Sequence, residues 1–213
     1  MASGFPASID NFTDPLSNSP LNSPSHSALH SDVNDAVEKI ETYMGLVKVI
    51  PTSATNGTVS STGTVTVGTA VSSVTVSGCF SSTYDAYEIV YTNGISSNTD
   101  FLYLTLSGNT GSNYYSAGAQ NTSGSATYNG IGNSATTRFS LSTCSAQGFG
   151  LTWTVHNAFL AKQTFGRCNF VSDYSSGWTG HVNNNPISST GFTFLPGAGT
   201  LTGGTIIVYG YRK

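Results

Sequence analysis

Asp85 and Glu88 stand three residues apart in TYDAYEIVY. Two carboxylates facing one cleft are what glycoside cleavage requires, one as acid and the other as base or nucleophile. The only other carboxylates after Cys79 are Asp100 and Asp173. Glu88 lies inside the strand-like AYEIVY, so a solvent-facing strand position beside a turn accounts for the pair better than catalysis does. His26 and His30 are one helical turn apart. Copies of one helix gathered on an axis would bring such imidazoles together around Zn²⁺ or Ni²⁺, although two polar residues near a helix start is the plainer account. His156 and His181 stand alone in strand-like segments and read as hydrogen-bonded sandwich residues. The chain has no Gly-x-Ser-x-Gly, Gly-x-x-x-x-Gly-Lys or His-Glu-x-x-His motif, so the expectation is a non-enzymatic protein without a cofactor.

Aromatic residues offer a second chemistry. Tyr114 and Tyr115 in GSNYYSAG, Tyr128 in ATYNG, and Tyr174 and Trp178 in SDYSSGWTGH are set among Asn, Ser and Gly. Flat apolar faces among hydrogen-bonding groups suit a sugar ring or a protein epitope. Core packing competes with that role. It is the expectation for Trp178, whereas Tyr114 and Tyr115, in a turn-rich stretch, fit exposure and burial equally.

The elements that must position these residues follow from composition and period. Only 8% of the 213 residues are charged, against about 25% in an ordinary soluble domain, and Ser, Thr, Asn and Gly take their place. Such a composition suits strands and turns. A net charge of −3 with scattered Lys and Arg gives no basic stripe for nucleic acid. The start MASGFPASID has no signal-peptide pattern, and no apolar run is long enough for a membrane span, so neither export nor membrane insertion is expected. Cys79, Cys144 and Cys168 are odd in number and widely spaced. They read as free, buried thiols, with one bridged pair left open.

Residues 1–22 carry three prolines and isolated apolar residues, Phe5, Ile9, Phe12 and Leu16, and fit either a disordered tail or an extended arm docking on a neighbour. Residues 23–45 read as a helix, with Ser23 as N-cap, Pro24 at the first turn and Gly45 as the left-handed terminator. A start at Ser31 would also let Asp32 and Asp35 offset the helix dipole. His26, Leu29, Val33, Ala36, Ile40, Tyr43 and Val47 fall on one seam that Val37 and Met44 widen. A single helix of this length needs a partner, either its own β domain or, as the two-sided seam favours, copies of itself. Residues 46–78 alternate Val with polar residues between TNG and STG turns and read as a small β collar. Residues 79–213 carry longer strands separated by turn clusters, with Gly/Ser/Asn loops expected at 109–132. The fold class is therefore all-β, an antiparallel jelly-roll-like sandwich preceded by an arm, one short helix and a collar.

The run FPASIDNFTDPLSNSPLNSPSHSALHSDVNDAVEKIETYMG resembles the virion-attachment segment of tailed-bacteriophage structural proteins. CFSSTYDAYEIVY, FLYLTLSG and the closing GAGTLTGGTIIVYGYRK are similar to the distal β-sandwich of phage fibre and head-decoration proteins. The resemblance implies a homotrimeric virion protein made in the host cytoplasm and released by lysis. Phe5, Ile9 and Phe12 would anchor it to a capsid or tail protein. Leu29, Val33, Ala36, Ile40 and Tyr43 would form a three-stranded stalk, and the sandwich would face outward toward a host-surface glycan or protein. The stalk spans about three heptads at most, which implies a compact knob or spike, not a long fibre. Alternatives are a capsid-stabilising decoration protein and, from another class, a free lectin or glycan-active enzyme.

Overall fold

The computed structural model describes residues 26–43 and 45–212; the proposed anchors Phe5, Ile9 and Phe12 lie outside the described residues. The chain divides into two compact units, residues 1–45 and 46–213.

In the first unit a helix, α1, spans His26–Tyr43. Gly45 follows at φ 86°, the left-handed conformation that ends a helix and that glycine adopts without Cβ strain. Because the helix begins at His26, its first turn holds no acidic residue, and Asp32 and Asp35 lie too far along to offset the dipole there. Val33, Val37 and Ile40 are 50%, 47% and 41% exposed and share one stripe with the half-buried Ala36. The side chains of His26, Leu29 and Tyr43 lie outside the described residues. No helix among the described residues is long and apolar enough to cross a membrane.

The second unit is all strand: β1 (Leu46–Val49), β2 (Ser53–Thr55), β3 (Gly57–Val59), β4 (Thr64–Val67), β5 (Val74–Ser77), β6 (Tyr84–Ser96), β7 (Asp100–Leu106), β8 (Tyr114–Thr122), β9 (Tyr128–Thr136), β10 (Phe139–Cys144), β11 (Phe149–His156), β12 (Thr164–Ser172), β13 (Ser175–Asn183), β14 (Phe192–Pro196), β15 (Leu201–Thr202) and β16 (Thr205–Arg212). They form two antiparallel sheets. The large one runs β3-β4-β16-β6-β11-β12-β13-β8-β9, with β1 added on β16 and β15 on β6; the small one runs β10-β7-β14-β5-β2. The chain crosses between sheets at β7, β10 and β14, giving the expected all-β sandwich.

Residues 46–78 do not form a separate collar. β1, β3 and β4 extend the large sheet, while β2 and β5 extend the small one. Their partners are far away in sequence, with Leu46 opposite Tyr211 and Val65 opposite Ile206, so the period of the segment shows strands but not where they pair. The expected loops at 109–132 are also corrected, because most of that stretch is the β8–β9 hairpin at the edge of the large sheet. Its Ala, Gly, Ser and Asn residues lack the apolar alternation that marks a half-buried strand.

The core is bound by rings from both sheets. Phe139 packs on Tyr114 at 4.7 Å between centroids and on Trp153 at 6.1 Å; Phe192 packs on Trp153 at 6.4 Å and on Phe194 at 5.1 Å. Cys79, Cys144 and Cys168 are free and buried, as expected.

A second, polar seam joins the sheets along β10. As an edge strand of the small sheet, β10 leaves backbone groups unpaired, and buried side chains of the large sheet meet them. Thr179 Oγ1 donates to the Leu141 carbonyl at 2.7 Å, and Ser116 Oγ accepts from the Ser140 N–H at 3.0 Å. His181 Nε2 faces the Ser140 carbonyl at 3.1 Å, and because a carbonyl only accepts, that nitrogen carries the proton. Burial lowers the His181 pKa to about 4, against the smaller opposing pull of the Ser140 carbonyl.

Candidate functional site

β13 positions the first residue of the site. Its alternation sends Ser175, Thr179, His181 and Asn183 inward, which leaves Trp178 on the outer face of the large sheet at 48% exposure. The expectation of a core tryptophan is thereby corrected. The inner positions of β13 are polar because they serve β10, so hydrophobicity points to the wrong face. On either side of Trp178 stand Asn169 of β12 and Ala119 of β8. The indole carries the Arg167 guanidinium 5.9 Å from its ring centroid.

Tyr128, at the start of β9, is 72% exposed and pairs with Asn121, which in turn pairs with Ser176. The register places the Tyr128 and Trp178 backbones about 12 Å apart, two interstrand steps sideways and one two-residue step along. Between them lies a cleft of about 630 Å³, with Asn121, Asn169, Val171, Ser176 and Gly177 among its lining residues. A Cβ on Gly177 would collide with the Ala119 carbonyl, so glycine here allows β8 and β13 to approach closely. Tyr174 is exposed in the β12–β13 turn, which is held to the β8–β9 tip where Ser123 N–H meets the Tyr174 carbonyl at 2.7 Å and Ser123 Oγ meets the Asp173 carbonyl at 2.7 Å.

The remaining expected residues separate from this group. Tyr114 is fully buried; its hydroxyl accepts from Leu106 N–H at 2.9 Å and donates to the Asn109 carbonyl at 3.2 Å, and burial pushes its pKa up to about 12. It ties the β7–β8 connection to the core and is not available to a ligand. Tyr115 is half-buried beside Val182, about 20 Å along β8 from the cleft. Asp85 is the extra residue where the pairing of β6 with β16 shifts register, while Glu88 lies in the regular strand and accepts from the Tyr211 hydroxyl at 3.4 Å. His30 is exposed, and among the described residues no group of three metal-ligating side chains comes together.

Two features escaped the sequence reading. The cleft continues into recesses of about 470 Å³ and 400 Å³, with which it shares Val171 and which reach Gly150, Thr92 and Val90. The three recesses lie side by side across β13, β12, β11 and β6 with the exposed Val171 between them, and together they make up the trench. Arg138, between β9 and β10, stacks 3.7 Å over Tyr103 of β7 beside a recess of about 460 Å³. Neither feature has a local signature, because the trench residues come from strands distant in sequence and meet only through register.

The chain matches no protein-family model and no curated protein.

Proposed function

We propose that this chain is a non-enzymatic structural protein of a bacteriophage virion, a homotrimeric fibre or spike held to a capsid or tail protein by its N-terminal segment and using the sandwich for adhesion to the host surface. One observation carries the adhesive part of this reading. The chain joins the sandwich at Leu46, whose row across the outer face runs through Tyr211, Ala86, His156 and Phe165, whereas the cleft row runs through Thr92, Gly150, Val171, Ser176 and Tyr128. The rows are six residues, about 20 Å, apart along the strands. The exposed aromatic cleft thus lies at the other end of the strands from Leu46, the first residue of the sandwich. No carboxylate lines the cleft, which fits holding a ligand without cleaving it.

The exposed stripe of α1 supports the oligomeric part. Introducing Val33→Asp and Ile40→Asp together is expected to reduce the solution mass, by light scattering, from three copies of the 22.1 kDa chain to one. An unchanged mass would show that the helix is not the assembly device.

The adhesive role is tested with Trp178→Ala combined with Tyr128→Ala in the full chain. Loss of two stacking faces is expected to weaken adhesion to the bacteria the particle infects by tenfold or more, on the order of 1–2 kcal/mol, with no change in melting temperature. Undiminished adhesion, or protein that protects particles from heat without adhering to cells, favours a decoration role.

A further inference from the structure

We infer that the trench on the outer face of the large sheet is the binding groove for an uncharged linear polysaccharide lying across the strands; this rests on the adhesive reading above and specifies its ligand. The trench runs from Tyr128 on β9 to Val90 and Thr92 on β6. Five interstrand steps separate those strands, about 24 Å, long enough for several sugar units. The two exposed rings at one end are carried by backbones about 12 Å apart, a spacing that suits stacking on two units of one chain.

The lining chemistry selects the class. Its polar groups are amides and hydroxyls, including Asn121, Asn169, Ser176, Thr152 and Thr92, and no Asp, Glu, Lys, Arg or His side chain is among them. Amides and hydroxyls both donate and accept, as sugar hydroxyls do. The Asn121 and Asn169 side chains make no hydrogen bond to another described residue, so their capacity is free for a ligand. A carboxylate or sulfate laid along the trench would lose water and meet no opposite charge except Arg167 at the Trp178 end. Arg167, the cation beside the cleft, is stacked on the Trp178 ring. Gly150 lies between Val171 and Thr92 without a side chain, so the floor there is bare backbone beside the exposed Val171.

The test uses the full-length chain on an array of neutral hexasaccharides (cellohexaose, maltohexaose, chitohexaose) beside oligogalacturonate and heparin fragments. The expected result is retention on a neutral chain, stronger for hexamer than for dimer and lowered at least tenfold by Trp178→Ala and by Asn169→Asp. His156→Ala, exposed on the same face at the other end, is expected to leave retention unchanged. Unaltered melting temperatures establish that the variants fold. Binding to acidic chains alone, binding to nothing on the array, or indifference to Trp178→Ala overturns the inference. If Trp178→Ala abolishes cell adhesion while no glycan binds, the ligand is a protein, so the inference falls and the adhesive reading stands; if adhesion is also unaffected, both fall. A drop in solution mass with Trp178→Ala would assign the trench to contact between copies and likewise overturn it.

Discussion

Between pH 7 and pH 4 the sandwich is expected to lose about 3 kcal/mol of stability through His181 alone. The folded-state pKa is lowered to about 4 from an ordinary value of 6.5. Above pH 6.5 the imidazole is neutral in both states and the contribution is complete. Between 6.5 and 4 the unfolded chain takes up a proton that the fold refuses, so stability falls as the pH falls. Below 4 both states are protonated and the loss levels off. The rings packed on His181, Phe139 and Trp153, do not titrate and so cannot compensate. Urea denaturation across this range checks the prediction, and His181→Phe should flatten the window by removing the group. A wild-type profile already flat from pH 7 to pH 4 would contradict the assignment.

Trp153→Ala is expected to cost about 3–5 kcal/mol, a large part of the roughly 5–15 kcal/mol by which domains are stable. Trp153 is fully buried and joins the sheets through Phe139 and Phe192, so truncation opens a cavity that neither sheet can close alone. Trp153→Phe should cost clearly less. It retains a ring between those neighbours and deletes an indole N–H that has no hydrogen-bond partner. Denaturation midpoints at constant m-value measure both. Equal losses for the two variants would mean that volume is not what matters at this position.

The parts of this fold legible in the sequence are those whose signal is local. The helix was visible in its 3–4 spacing and in Gly45, and the TNG turn in Asn56, which adopts φ 62° between β2 and β3. The long strands β6, β7, β11, β12, β14 and β16 carry enough apolar or alternating residues to be seen without knowledge of their partners. The β8–β9 hairpin was hidden because an edge built from Ala, Gly, Ser and Asn resembles a loop. Trp178 left its expected core position, and Tyr114, which fitted burial and exposure equally, went inside, for related reasons. Tyr114 is buried because its hydroxyl has two backbone partners inside the sandwich. Trp178 is outside because Thr179 and His181 are required inside to bond the β10 backbone. Polarity therefore misreports direction in both strands, and only the cross-sheet hydrogen bonds account for it.

The three cysteines have a practical consequence. Burial pushes the thiol pKa of Cys79, Cys144 and Cys168 upward, and the reactive form of a thiol is the thiolate. The native sulfurs are thus silent toward alkylating dyes while the sandwich stays folded. A cysteine introduced on the trench wall by Ser176→Cys would be the single labelled position, giving an optical reporter of occupancy in an otherwise wild-type chain. The same dye becomes a reporter of unfolding when the native sulfurs begin to react.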